Sequence, residues 1–319
     1  MTGSPPATWR APMLATLTDD RFDDPDWLYE RKLDGVRAIA ARDEGSTTLW
    51  SRNQKPMDAT YPELVTELDQ RGPNRFVADG EIVAFDGNTT SFSKLQGRIQ
   101  LRTEADIARA AIPVYLYLFD LLVLNDEDLT GQPLRERKRR LRAAFDFGGA
   151  LRLSTHRNAH GTEYFRHACE HGWEGLIAKR ADAPYRSGRS ADWLKFKCVR
   201  EQELVIGGFT DPKGSRHGFG ALLLGYYDGA RLRYAGKVGT GYNERTLADL
   251  RARLDGLTEP RSPFATPVRE SGTHWVRPEL VAQIGFSEWT RDGLLRHPRF
   301  VGLRTDKAPH EVIREEARG

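Results

Sequence analysis

Lys32 stands in the run Tyr29-Glu30-Arg31-Lys32-Leu33-Asp34-Gly35-Val36-Arg37, at the end of a strand-like segment and directly before Asp-Gly. An amine in that setting is a candidate nucleophile. Free lysine ionises near pH 10.4, so it attacks only where cationic neighbours or loss of water favour the neutral form. Other stretches supply such neighbours. Trp193-Leu194-Lys195-Phe196-Lys197 puts two lysines and the tryptophan on one strand face, where the repelling ammonium groups call for an anion such as a phosphate chain. The competing reading is an edge strand that uses lysine to block aggregation. In Arg75 to Phe85 the period of two places Asp79 and Glu81 opposite Ala78 and Ile82, two carboxylates on one face. Glu174-Gly175-Leu176-Ile177-Ala178-Lys179-Arg180 reads as a short strand charged at both ends.

The elements that must hold these residues follow from pattern. Val36 to Ala41 and Thr47 to Ser51 alternate as paired strands around an Asp-Glu-Gly-Ser turn. Thr60-Tyr61-Pro62-Glu63 reads as a helix start, with Thr60 as cap and Glu63 closing a capping box, and Gly72 as the stop. Leu64 and Leu68 form the inner face of that helix. A second helical region runs from Ser93 to about Ala111. Val114 to Leu122 is apolar on both faces and therefore a buried central strand, with Phe119 toward its end. Arg135 to Arg142 carries six basic residues on a helix, either a grip for nucleic-acid phosphates or a solvated face. His156, His160, His167 and His171 are spaced i, i+4 in pairs, but without a third ligand they read as ordinary surface histidines. Beyond Glu203 the chain turns to short strands: Leu204 to Phe209, Ala221 to Tyr227, Leu232 to Val238, His274 to Val276 and Leu280 to Trp289, with one helix from Asn243 to Leu254. That pattern fits a small Greek-key barrel of the OB type.

Length and composition bound the possibilities. At 319 residues the chain has room for two domains, placed at 1–199 and 200–319. A hydrophobic content of 39% and a charged content of 29% describe a globular protein, with no apolar run of membrane-spanning length and no signal-peptide core. A cytoplasmic monomer is expected. With Cys169 and Cys198 as the two cysteines, reduced thiols are expected and a disulfide framework is not. The balance of 48 basic against 45 acidic residues leans only weakly toward an anionic partner.

The ordered series Lys32-Leu33-Asp34-Gly35, Ser51-Arg52-Asn53, Asp79-Gly80-Glu81, Phe119-Asp120-Leu121-Leu122, Glu174-Gly175 and Lys195-Phe196-Lys197 resembles the nucleotidyltransferase motifs of ATP-dependent DNA ligases. Arg304-Thr305-Asp306-Lys307 looks like the last of those motifs, so the likeness covers nearly the whole chain. Pro12-Met13-Leu14-Ala15, Ile206-Gly207-Gly208-Phe209 and Arg296 to Arg304 narrow it to the ligase module of the bacterial end-joining ligase D family. The resemblance implies an α+β nucleotidyltransferase domain of antiparallel sheets with flanking helices, followed by an OB-fold domain. It implies an enzyme that seals 3′-OH/5′-phosphate breaks in duplex DNA through lysyl-AMP and a DNA-adenylate. Polymerase and nuclease domains, fused to this module in many members, would here be separate proteins, and a Ku-like end-binding protein is a possible recruiter. No helical DNA-binding domain is expected before the core.

By the same resemblance, Lys32 attacks the α-phosphate of ATP while Lys195 and Lys197 contact it. Glu81 and Glu174 hold Mg²⁺ or Mn²⁺ and the sugar. Phe119 stacks on adenine, Glu30 reads its edge, and Arg37 and Arg52 bind the ribose or the 5′-phosphate. Arg304 and Lys307 orient pyrophosphate from a barrel that swings on a hinge near residues 198–201. The chain departs from the family at Gln54, where many relatives have a glycine suited to positive φ. RNA ligases and mRNA-capping guanylyltransferases share the lysine–nucleotide chemistry, and a silent nucleic-acid-binding module would keep the fold without it. Because the motifs include no base-reading element, nick binding should depend on backbone charge. Affinity for a nicked duplex, measured by titration across salt concentrations, is expected to fall steeply and linearly on a log–log plot; salt-independent affinity would refute the expectation.

Overall fold

Alternation in the strand Phe76–Val83 turns Phe76, Ala78 and Ile82 to one side and Asp79 and Glu81 to the other. The computed structural model describes residues 7–43, 45–99, 101–198, 200–212 and 217–315. It divides the chain into two compact units, the first reaching to Cys198 and the second ending at Glu315.

In the first unit, Phe76–Val83 lies between Val36–Asp43 and Tyr115–Leu124 in antiparallel ladders, and Ser46–Ser51 and Leu151–Leu153 widen the sheet. Helices Pro62–Arg71 and Phe92–Ile99 cover its apolar face with Leu64, Leu68, Phe92 and Leu95. A second sheet orders the strands Met13–Leu17, Gly188–Lys197, Gly175–Arg180, Trp27–Arg31 and His156–Asn158. Its outer face packs Tyr29, Leu176, Ala178 and Phe196 with Tyr164 and Ala168 of the helix Gly161–Glu170. Its inner face meets the Asp79 side of the first sheet, and Met13, Ile39, Val77, Phe119 and Trp193 join in one apolar cluster. Pairings are antiparallel except at Met13–Leu17 against Gly188–Lys197 and Leu151–Leu153 against Tyr115–Leu124, which run parallel.

Lys32-Leu33-Asp34-Gly35 is the crossing from the second sheet to the first. Gly35 cannot carry a side chain there, because a Cβ would lie 2.1 Å from the carbonyl oxygen of Ile82. Asp34 anchors the crossing: its carboxylate accepts from the Phe92 amide at 2.8 Å, and its own amide donates to Thr90 Oγ1 at 3.1 Å. A carboxylate at the start of the helix Phe92–Ile99 is also favoured by the helix dipole.

The second unit is a meander of Glu201–Thr210, Leu222–Asp228 and Arg231–Val238, extended by the strand Thr273–Gly285, on which Thr258–Glu259 and Arg299–Arg304 pair. Helix Glu244–Asp255, capped by Asn243, buries Leu250 and Leu254 against this sheet.

Several expectations need correction. Thr60 does not cap the first helix: Tyr61 occupies the cap position with no side-chain hydrogen bond, and Glu63 pairs with Arg98 at 2.6 Å instead. The region from Ser93 to Ala111 is two helices, Phe92–Ile99 and Glu104–Ala110, the second capped by Thr103. The strands expected at 274–276 and 280–289 are one, Thr273–Gly285, whose ladder with Glu201–Thr210 is interrupted between Ile206 and Gly208. Pro278, which cannot donate to a ladder, sits in that interruption. The cysteines are not free thiols: Cys169 and Cys198 form a disulfide, tying the helix Gly161–Glu170 to the residue that follows the Lys195–Lys197 strand. In the chain-entropy account a bridge across 29 residues stabilises by roughly 3–4 kcal/mol. Reduction with a thiol, or Cys198→Ser, is expected to lower the melting temperature of the first unit by several degrees; an unchanged thermal scan would show that the bridge contributes nothing.

Candidate active site

The strand Trp27–Arg31 delivers Lys32 to the mouth of the space between the two sheets. The Lys32 amide donates to the Gly175 carbonyl at 2.9 Å, and Gly175 is registered with Lys197 on the next strand. Gly175 has φ +147°, and a Cβ there would fall 1.8 Å from the Phe196 carbonyl oxygen. Between Lys32 and Lys197 the row therefore holds no side chain. One row over, Glu30, Ile177 and Lys195 are registered, and beyond them Leu28, Lys179 and Trp193. Glu30, Lys179, Lys195, Lys197 and Trp193 thus share the inner face. The Lys32 ammonium, about one-fifth exposed, forms an ion pair with the nearly buried Glu174 carboxylate.

From the facing sheet, Arg37 is registered with Glu81 and then Tyr117. Phe119 occupies a bulge: the ladder slips between Asp79 and Gly80, leaving Phe119 as the extra residue between Asp120 and Leu118. Arg37 grips Asp79 with two bonds of 2.5 and 2.6 Å, and Tyr185 donates to the same carboxylate at 2.6 Å. Burial alone would lower the Arg37 pKa, but the Asp79 charge and hydrogen bonds raise it further than that. Burial and then Asp79 push the Tyr185 hydroxyl well above its ordinary 10.0. Arg37 lies 4.6 Å from the centre of the Phe119 ring and Lys179 lies 4.2 Å from it, while Trp193 meets the ring edge-on at 6.1 Å.

A further buried ion pair and a buried cluster around Glu30 adjoin these residues. Arg137 donates two hydrogen bonds to the Asp120 carboxylate, at 2.7 and 2.8 Å, with both side chains fully buried. Glu30 Oε1 accepts from Lys138 at 2.6 Å, and Oε2 accepts from Lys179 at 2.9 Å and from Ser154 Oγ at 3.2 Å. Burial would raise the Glu30 pKa, but Lys138 and then Lys179 hold it below its ordinary 4.5. Burial brings Lys179 down to about 8, partly countered by Glu30. His156, registered with Glu30 on the edge strand, is likewise held below 6.5 by burial and then Lys138.

Of the residues named from the sequence, Glu30, Lys32, Arg37, Glu81, Phe119, Glu174, Lys195 and Lys197 all lie in the first unit's two sheets or their connections. Arg52 follows the strand Ser46–Ser51 in a turn where Gln54 takes φ +56°, a left-handed conformation that glycine adopts more readily. Arg304 and Lys307 belong to the second unit, where Arg304 binds Asp306 twice at 2.9 and 2.7 Å and Lys307 meets Glu203 at 3.2 Å. The hinge expected at 198–201 includes residue 199, outside the described residues. Lys138, Arg137 and Ser154 were missed. The run Arg135 to Arg142 was read as phosphate grip or solvated face, yet Arg137 and Lys138 are buried partners of Asp120 and Glu30. Arg139 and Arg140 pair with Glu136, leaving Arg135 and Arg142 among the outward ones. Leu134, Arg137, Lys138 and Leu141 stand at i, i+3, i+4 and i+7, so two charges occupy an apolar stripe. That spacing was the available signal.

Family models for the ATP-dependent DNA ligase domain and for the ATP-dependent DNA ligase C-terminal region match residues 12–197 and 215–307. The chain belongs to the ATP-dependent DNA ligase family. Its two units are accordingly a nucleotidyltransferase unit and an OB-fold unit. It is 39% identical to the multifunctional non-homologous end joining protein LigD of Pseudomonas aeruginosa, over 99% of this chain and 38% of that protein. It is 32% identical to a DNA ligase of Thermococcus fumicolans, over 89% of this chain and 53% of that one. The chain thus spans about two-fifths of the LigD relatives and half of the archaeal one. Among solved structures, mycobacterial DNA ligase D complexed with ATP and MES is similar with a TM-score of 0.68 and 36% identity, covering 96% of this chain and 98% of that one.

The geometry of this ligase unit carries a pH prediction. The Glu30 carboxyl, lowered in the fold, contributes stability that is fully present above its ordinary value and is lost as pH falls through the lowered one. Glu30→Gln is expected to cost roughly 3–5 kcal/mol at neutral pH, since it leaves two buried ammonium groups unbalanced, and to remove that acid-dependent component. Denaturant unfolding at pH 7 and pH 4 checks both; a variant as stable as the parent at pH 7 would show that the ion pairs do not support the fold.

Proposed function

We propose that this chain seals 3′-OH/5′-phosphate breaks in duplex DNA with ATP, and that Lys32 carries AMP between the two substrates. The observation that supports this most directly is the placement of Lys32 on Glu174 at the mouth of the inter-sheet space, one bare glycine row from Lys197. In the first step Lys32 Nζ attacks the α-phosphorus of ATP. A phosphoramide bond forms, the bond to the β-phosphate oxygen breaks, pyrophosphate leaves and the amine gives up its proton. Lys195 and Lys197 face the α-phosphate, offsetting its charge and favouring the neutral amine. AMP then passes to the 5′-phosphate of a nick, and the neighbouring 3′-hydroxyl displaces it to close the strand.

Each remaining residue has a part in this reading. Arg37 and Arg52 bind the ribose or the 5′-phosphate. Phe119 lies beside adenine and Glu30 faces its edge. A divalent cation fits the donor set: Glu174 is a nearly buried carboxylate whose partner is already a cation, Glu81 lies on the facing sheet, and phosphate oxygens would complete the shell. Mg²⁺ or Mn²⁺ held by Glu81 and Glu174 would supply charge neutralisation at the phosphates. Arg304 and Lys307, which the second unit carries, would orient pyrophosphate. The LigD likeness supports a role in end joining, with a Ku-like end-binding protein as the proposed recruiter.

Incubation with α-labelled ATP or GTP, followed by denaturing electrophoresis, tests the reading. ATP is expected to label the protein and GTP is not. Lys32→Ala is expected to reduce both labelling and nick sealing by at least 10³-fold. Labelling by GTP alone would favour a capping-type enzyme, and nick sealing by Lys32→Ala would remove the lysine from its role.

A further inference from the structure

Glu30 is nearly fully buried, and its hydrogen-bonding capacity is almost used up. A carboxylate has about four acceptor positions. Lys179 Nζ and Ser154 Oγ occupy the two on Oε2, at 2.9 and 3.2 Å. Lys138 Nζ takes one on Oε1 at 2.6 Å, which leaves a single position on Oε1. The ammonium of Lys138 is itself saturated: its other two protons go to the carbonyl oxygens of Phe119 at 3.3 Å and Ser154 at 3.2 Å. One buried cation therefore joins the residue facing the base edge to the backbone of the residue lying beside the base.

We propose that Lys138 is a positioning residue for adenine selectivity: it keeps Glu30 ionised and aimed, with one acceptor position left for the 6-amino group of the base. The inference rests on the reading that Glu30 faces the adenine edge. An ionised carboxylate accepts and cannot donate, so it suits the amino group of adenine and opposes the 6-oxo group of guanine or hypoxanthine. A buried carboxyl that loses a cation tends to take up a proton, and a protonated Glu30 could donate to a 6-oxo group. Lys138 also fixes the distance between that carboxyl and Phe119, so base and reader stay in register.

The full chain is tested by the rate of covalent nucleotide attachment, with ATP, ITP and purine riboside triphosphate, which has hydrogen in place of the 6-amino group. The parent is expected to prefer ATP over both analogues at least tenfold in kcat/KM. In Lys138→Met and Lys138→Gln the ATP value is expected to drop tenfold or more, chiefly through KM, while the purine riboside value falls less than threefold, so the preference collapses. Lys138→Arg, which keeps the charge, is expected to retain most of it. A merely structural role would lower all three nucleotides together. Retention of the full ATP preference by the neutral variant that folds, whatever its absolute rate, would overturn the proposal. A parent that does not distinguish ATP from purine riboside triphosphate would overturn the underlying reading of Glu30 instead.

Discussion

Charge buried between two sheets is the constraint around which the first unit is arranged. Asp79, Asp120 and Glu30 are set against Arg37, Arg137, Lys138 and Lys179, three carboxylates facing four cations in a region almost closed to water. Desolvating so many charges is costly, and such a cluster survives only when each member has several well-aligned partners. That requirement explains the bidentate arginines, the Tyr185 bond to Asp79 and the exhausted donors of Lys138.

Glycine and the bulge shape the space these charges surround. Gly35 and Gly175 stand where a Cβ would strike a carbonyl oxygen of the neighbouring strand, so the lysine turn and the strand beside it close to a spacing that no other residue permits. The bulge at Phe119 lets adjacent residues Phe119 and Asp120 serve different partners, the ring near Arg37 and Lys179 and the carboxylate on Arg137. A regular ladder would set them on opposite faces.

Much of this was legible in the chain. Period-two alternation placed Asp79 and Glu81 on one face and Lys195 with Lys197 on another, because sheet faces are local properties. Less legible was anything decided by a distant partner. Thr60 with Glu63 has the form of a capping box, but Glu63 is drawn away by Arg98, 35 residues on. Arg137 and Lys138 were hidden within a run of basic residues, because charge suggests solvent until the facing carboxylates are known. The cysteine pair was misread for a similar reason: composition argues from compartment, whereas the bridge depends on the helix Gly161–Glu170 ending beside the end of the strand Gly188–Lys197.

That bridge also gives the first unit a mechanical boundary. Cys198 is joined covalently to the helix and donates its amide to the Glu174 carbonyl at 2.9 Å, so tension applied to the chain beyond it divides between the helix and the ladder. Lys195 and Lys197 lie inside that anchor point. Their spacing from Gly175 therefore bears only part of whatever load the following segment carries, the helix taking the rest as a second stay shares the pull on a mast.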